Sequence, residues 1–319
     1  MARLSPTVTG DARVRATMED DTMGNVRRST LGRIGRMALV LSAVAVTVVP
    51  FVSVAPTSGA TPTVVVSGFS AARTDDDWGI TESCLDTTRG YLADTANFGP
   101  SGVVEATMDV TTTGVDTATS ADLAGVNVFF TGWVTTTSYT NAEKTALLNY
   151  VKAGGALIGT TDGTDHDMSS IFGMTLADSP GGEETGTITD ATSPLADGPF
   201  GTVTTFEQYG DIGHYTDVGP GHTVGTNPEG PAIVVIPPGA LSATSGPVVM
   251  VSDVDVFSDC AEASPVGSVA NETLIKNIFA YVATAKAVPP TTTTASTTTT
   301  TEAPTTTVAP VEAQPAFTG

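Results

Sequence analysis

Residues 150–163 read YVKAGGALIGTTDG. The stretch ends a helix, turns at Gly154-Gly155, runs the apolar segment Ala156–Gly159 and reaches a further glycine at Gly163. A helix, a tight turn and a short buried strand make one repeat of an alternating α/β chain. The helix is the clearest in the sequence. Thr140 and Glu143 have capping-box spacing, Leu147, Leu148 and Val151 form an apolar stripe, and Gly154 sits where a helix stops.

Outward from that repeat, residues 63–68, 102–111, 126–130, 232–237 and 246–253 are β-branched or apolar runs that read as strands. Residues 83–96 read as a helix, as do residues 271–286, where Leu274, Ile275, Ile278 and Val282 recur at helical spacing. Between them, residues 181–230 are rich in Gly, Thr and Pro and read as turns and antiparallel strands. The pattern predicts a three-layer α/β domain over residues 61–286. Its sheet is mainly parallel with helices on both faces, and it carries a small β-rich insertion.

Both ends differ from this middle. Arg27, Arg28, Arg33 and Arg36 precede an apolar run that begins at Met37 and is broken by Pro50, with small residues Ser58 and Ala60 beyond it. That is the pattern of an N-terminal extension and signal peptide over residues 1–60, with cleavage near Ala60. An uncleaved membrane anchor is the alternative. From Ala287 to Gly319 the chain is Thr- and Pro-rich, without periodicity, and cannot bury a core. Extended at ~3.1 Å per residue, such a stalk reaches on the order of 100 Å. Its last residues, Pro315 to Gly319, partly resemble the sortase sorting motif of Gram-positive surface proteins. The resemblance implies attachment to a cell wall.

The formal net charge of the 319-residue chain is −21. Residues 1–60 hold seven Arg and four acids, so the remainder carries six basic against thirty acidic side chains. Such a surface repels nucleic acid and anionic lipid, and suits solubility in a salty exterior or attraction to cations. The two cysteines, Cys84 and Cys260, both fall in the exported part and read as a disulfide. A catalytic thiol is the alternative.

The segments "DLAGVNVFFTGW", "LLNYVKAGG" and "ALIGTTDG" together resemble the glutamine-amidotransferase-like superfamily, in particular its ThuA-like branch, which has a flavodoxin-like sheet. "SPLADGPFG" (193–201) and "GPVVMVSDVDVFSD" followed by "LIKNIFAYVA" extend the resemblance over most of 63–286. In that family a Gly-x-Cys-x-Gly corner carries the nucleophile in a sharp strand-to-helix turn. The matching residues here are Gly159-Thr160-Thr161-Asp162-Gly163, with Thr161 in the place of the cysteine. A threonine hydroxyl needs an adjacent base. The family's histidine, expected after the last strand, is replaced by Ser252-Asp253-Val254-Asp255. The resemblance therefore implies the corner's geometry without its chemistry, and no catalytic residue is carried over. A new constellation of Thr161, Asp162 and His166 is the enzymatic alternative.

Ligands of open α/β sheets bind outside the carboxyl ends of the strands. Three acidic loops are expected there: Asp75 to Asp77, Asp162/Asp165/Asp167, and Asp253/Asp255/Asp259. Three readings stand: solvated loops, a calcium site drawing on Asp162, Asp165, Asp167, Asp253 and Asp255, or a carboxylate pair for glycoside hydrolysis. Trp78 and Trp133 flank the same edge, so Asp77, Trp78, Trp133 and Asp162 are the expected ligand-binding set. No other cofactor is expected. The functional expectation is an exported, surface-displayed, non-catalytic binding or structural module, with cell-wall glycan or another extracellular ligand as partner. A secreted hydrolase acting on a carbohydrate or amide is the alternative.

Overall fold

The structure, a computed structural model, describes residues 60–75, 77–164, 166–261 and 265–285. The expected signal peptide, stalk and sorting-like end lie outside the described residues. Thirteen strands run in chain order: β1 Thr63–Gly68, β2 Thr107–Val110, β3 Val128–Phe130, β4 Ala156–Thr160, β5 Thr175–Asp178, β6 Glu184–Ile188, β7 Asp197–Gly198, β8 Gly201–Thr202, β9 Thr205–Gln208, β10 Gly213–Asp217, β11 His222–Thr226, β12 Pro231–Ile236 and β13 Val248–Val251. Three α-helices accompany them: α1 Asp86–Ala93, α2 Asn141–Lys152 and α3 Val269–Thr284.

Nine strands form one sheet in the order β2-β1-β3-β4-β13-β12-β11-β6-β9. The pairings from β2 to β13 are parallel, and those from β13 to β9 are antiparallel. The α/β architecture is the one the sequence implies, with one difference. Of the residues read as an insertion, β6, β9 and β11 extend the main sheet and make half of its pairings antiparallel, while β7–β8 and β10, which pairs with β5, form two small ladders beside it.

Binary patterning explains the layers. In β1, β3, β4 and β13 both faces are apolar, as strands covered on two sides require. One set of side chains (Val66, Phe130, Ile158, Val251) packs under α1 and α3, together with Leu92, Leu274 and Ile278. The opposite set (Phe129, Leu157, Met250) packs under α2 with Leu147, Val151 and Phe172.

Each helix start has a capping partner, local for α2 and α3 and distant in the chain for α1. Thr140 and Glu143 form the capping box of α2 as spaced, and Ser268 caps α3 by accepting from Asn271 N. At α1 the carboxylate of Asp259 accepts from Thr87 N at 2.7 Å. Two buried asparagines on α3 act as backbone clamps. Asn271 exchanges two hydrogen bonds with Glu207, which covers the outer edge of β9, and Asn277 holds Phe200 N, Leu195 O and Gly201 O. Covering an edge strand in this way blocks sheet-to-sheet association.

The fold has two poles. At the amino edge of the parallel strands, Thr107 N donates to Pro62 O, and the last turn of α3 lies beside residues 103–105. At the carboxyl edge, Cys84 and Cys260 are disulfide-bonded with their Cα atoms 5.0 Å apart. That bond ties the chain after β1 to the chain after β13.

Candidate functional site

Strand order β2-β1-β3 reverses direction at β1/β3, where flavodoxin-like sheets usually open a ligand crevice. Here the loops that leave β1 and β3 are zipped together. Trp133 N donates to Trp78 O, Thr135 N donates to Arg73 O at 2.9 Å, and Thr136 Oγ1 donates to Ala72 O at 2.9 Å. Gly132 permits the approach: its φ is +64°, and a Cβ there would stand 2.3 Å from the Trp78 carbonyl oxygen. Trp78 and Trp133 meet edge to face with ring centroids 5.3 Å apart, both half-buried. They pack against each other across this crevice. Asp77, from the same loop, accepts from Ser83 Oγ at 2.5 Å.

The corner after β4 also departs from the expectation. The chain does not turn into a helix. Thr161 O accepts from Val254 N at 2.7 Å, and Asp162 bridges to Asp253, so the chain runs on beside the segment that leaves β13. Left-handed φ falls on Gly163 (+57°) and His166 (+50°), not on Thr161. Gly159 lies within β4, where a Cβ would stand 2.5 Å from Met250 Sδ. The expected nucleophile-corner geometry is thus replaced by a β-bridge.

Thr161 is 2 % exposed, and its hydroxyl has no hydrogen-bond partner among the described residues. His166 is occupied elsewhere: Nδ1 lies 2.9 Å from Ser138 Oγ and Nε2 lies 3.0 Å from Thr135 O. A neutral ring that donates from Nε2 and accepts at Nδ1 satisfies both contacts. The Thr161–Asp162–His166 constellation is therefore not formed.

The acidic loops separate in the same way. Asp167 accepts from Ser169 N and Ser169 Oγ, both at 2.7 Å, capping the 3-10 turn Ser169–Phe172. Asp259 caps α1. Asp165 lies outside the described residues. Among the described residues, no three Asp, Glu, His or Cys side chains converge closely enough to hold a metal ion. Among the described residues, the other four aspartates of the expected calcium set, Asp162, Asp167, Asp253 and Asp255, do not form such a group.

What does assemble is a carboxylate pair and a cavity. Asp253 is 0 % exposed, and its two oxygens accept from Tyr209 N at 2.8 Å and Asp255 N at 2.7 Å. Burial, with the charge of Asp255 added, pushes its carboxyl well above the usual range despite those bonds. Burial also pushes Asp255 up, to about 6, against a hydrogen bond from Ser258.

Both carboxyls hold protons more tightly folded than unfolded. Stability from the pair is fully present only below the unfolded carboxylate range and is lost as pH rises through about 6. Urea denaturation at stepped pH should show the wild type losing this contribution from about pH 4 upward through about pH 6. Asp255→Asn should flatten that decline and be the more stable protein at the upper end. Parallel curves would refute the pairing.

Next to this pair, a cavity of about 260 Å³ is lined by Asp162, Gly163, Thr164, Asp178, Ser179, Asp211 and Ile212. Gly163 N donates to Asp211 O, and Thr164 N donates to Asp178 Oδ1, both at 2.7 Å. Ser179 Oγ lies 3.1 Å from His214 Nδ1. The cavity sits between the end of β4 and the β5–β10 ladder, at the carboxyl edge but displaced from the β1/β3 crevice. Of the expected ligand set only Asp162 lines it. Asp178, Ser179 and Asp211 were not anticipated; the turn residues Pro180-Gly181-Gly182 and Gly210 were the only nearby signal.

No protein-family model matches the chain, and no curated protein sequence does. Among solved structures, the mmIFT52 N-terminal domain is similar at a TM-score of 0.51 and 12 % identity, covering 70 % of this chain and 97 % of that one. A ThuA-like protein from Bacteroides uniformis is similar at a TM-score of 0.44 and 13 % identity, covering 70 % and 93 %. A ThuA-like protein from Parabacteroides merdae is similar at 0.39 and 10 %, covering 70 % and 90 %. At 12 % identity the likeness to the mmIFT52 domain shows the fold alone.

Proposed function

We propose that this chain is an exported, cell-surface or wall-associated binding module, with an amidotransferase-like domain of the ThuA-like branch that no longer carries the family's chemistry. One observation carries the reading: an inert, buried Thr161 beside an open polar cavity. Cavity carboxylates and hydroxyls accept hydrogen bonds from a polyhydroxylated ligand, and wall glycan has that chemistry. The Cys84–Cys260 disulfide suits an oxidising exterior. The Thr/Pro-rich residues 287–319 would then hold the domain away from the envelope, with the sorting-like end as the point of attachment.

The test is calorimetric titration of soluble wall-glycan fragments into the mature chain. Saturable binding is expected, weakened at least ~10-fold by Asp211→Asn and unchanged by Thr161→Val. No binding to wall glycan, or binding indifferent to Asp211, would remove the reading.

The hydrolase alternative is favoured by one contact, Ser179 Oγ against His214 Nδ1 in the cavity wall. A serine beside an imidazole is the start of an activated nucleophile. Release of reducing ends or ammonia, abolished by His214→Ala, would replace binding by turnover.

A further inference from the structure

At the amino edge of the fold, opposite the cavity, lies a groove of about 560 Å³. Its walls include Val103, Pro194, Pro199 and Tyr281, and Thr284 and Ala285 line it as well. Val103 is 53 % exposed, one of two large apolar side chains that stand out among the described residues. Val103, Pro194, Pro199, Ala280 and Tyr281 make its wall mainly apolar, a surface that gains free energy by being covered.

The chain itself supplies a cover. α3 ends at Thr284, inside the groove wall, and the sequence continues Lys286-Ala287-Val288-Pro289-Pro290. We propose that Lys286–Pro290 of this same chain lies in the groove and fixes the direction in which residues 291–319 depart.

Three features fit that occupant. Five residues of extended chain span about 15 Å, and the segment follows directly on Ala285, itself part of the groove wall, so no loop has to be crossed to reach it. Proline has no N–H, so Pro289 and Pro290 can be laid on an apolar wall without burying an unsatisfied donor. Pro-rich extended segments dock on grooves built from aromatic and proline side chains, as Tyr281, Pro194 and Pro199 are here. Charge agrees as well: Glu105 lines the groove, and Lys286 is one residue beyond Ala285.

The experiment uses the full chain and two variants of it. Val288→Gly/Pro289→Gly/Pro290→Gly keeps the length and removes the docking chemistry. Val103→Lys keeps the segment and spoils the wall. Amide exchange over Tyr281–Ala285 and the Val103 methyl resonances are followed by NMR.

Docking predicts exchange at least ~10-fold faster in both variants than in wild type, because the last helical turn loses its cover. It also predicts displaced Val103 methyl signals in the glycine variant, with a free peptide KAVPPTTTT restoring them saturably. Equal exchange and unmoved methyls in the glycine variant would overturn the proposal. Differences that appear only as protein concentration rises would also overturn it, because they would assign the groove to a second copy. Acceleration in the glycine variant but not in Val103→Lys would reduce the effect to helix fraying, with the same consequence.

Discussion

Replacing Cys84 and Cys260 by alanine together is expected to lower the unfolding free energy by about 5 kcal/mol and the melting temperature by roughly 10–20 °C. The two cysteines are 176 residues apart, so the bond closes most of the domain into one loop and removes a large share of the unfolded chain's freedom. The bond also holds native hydrogen bonds in place: Asp259 N donates to Cys84 O at 2.6 Å, and the Asp259 side chain caps α1. Cys84 is buried beside Leu85 in the core under α1 and α3, so the double variant loses packing as well. Chemical denaturation of the double variant against wild type, both under non-reducing conditions, measures the difference. A loss below ~1 kcal/mol would mean that the carboxyl-edge loops are held by their hydrogen bonds alone.

A second large effect is expected at Arg73. This side chain is 7 % exposed and joins three loops to α2. Its Nη1 lies 2.6 Å from Glu143 Oε1 and 2.8 Å from Asp116 O, Nη2 donates to Thr137 O, and the guanidinium stands 4.5 Å from the centroid of the Phe69 ring. Glu143 is buried and also closes the capping box of α2 through Thr140. Burial pushes the Glu143 carboxyl up, but the bonds from Arg73 and Thr140 outweigh it and hold it below its usual range.

Arg73→Ala strands that carboxylate in the interior, which costs about 3–5 kcal/mol. Arg73→Met with Glu143→Gln removes both charges and should recover roughly half of the loss. A depressed carboxylate stabilises above its unfolded value, and that contribution disappears as pH falls through the folded one. Arg73→Ala should therefore lose less than wild type between neutral and acid pH. Urea titrations at both ends of that range decide it; a loss near zero at neutral pH would show the pair to be solvent-screened.

Much of the scaffold was legible because its signals are local. The capping box Thr140–Glu143, the stripe Leu147/Val151 and the β-branched runs of β1, β12 and β13 each carry a pattern that one element can satisfy. The site was less legible because its signals are ambiguous or distant. A glycine pair four residues apart reads as a nucleophile corner. Gly159 is instead small for Met250, and Gly163 is left-handed to reach Asp211. An aspartate near a strand end reads as a ligand, yet Asp167 and Asp259 are caps, because capping asks for the same short carboxylate. Asp178 and Asp211 are brought together by a β5–β10 ladder between stretches with weak periodicity, and that ladder carries a register shift at Tyr215/Asp217. No spacing rule announces such a pairing.

The two poles of the fold have a practical corollary. The segment entering β1 and the last turn of α3 both lie at the amino edge, whereas Asp162, Asp178 and Asp211 lie at the other. A handle grafted onto either flank of the domain, whether an affinity tag on a sensor chip or a fluorescent fusion partner, therefore points away from the aspartate-lined mouth. Immobilised that way, every molecule would meet the analyte stream face first.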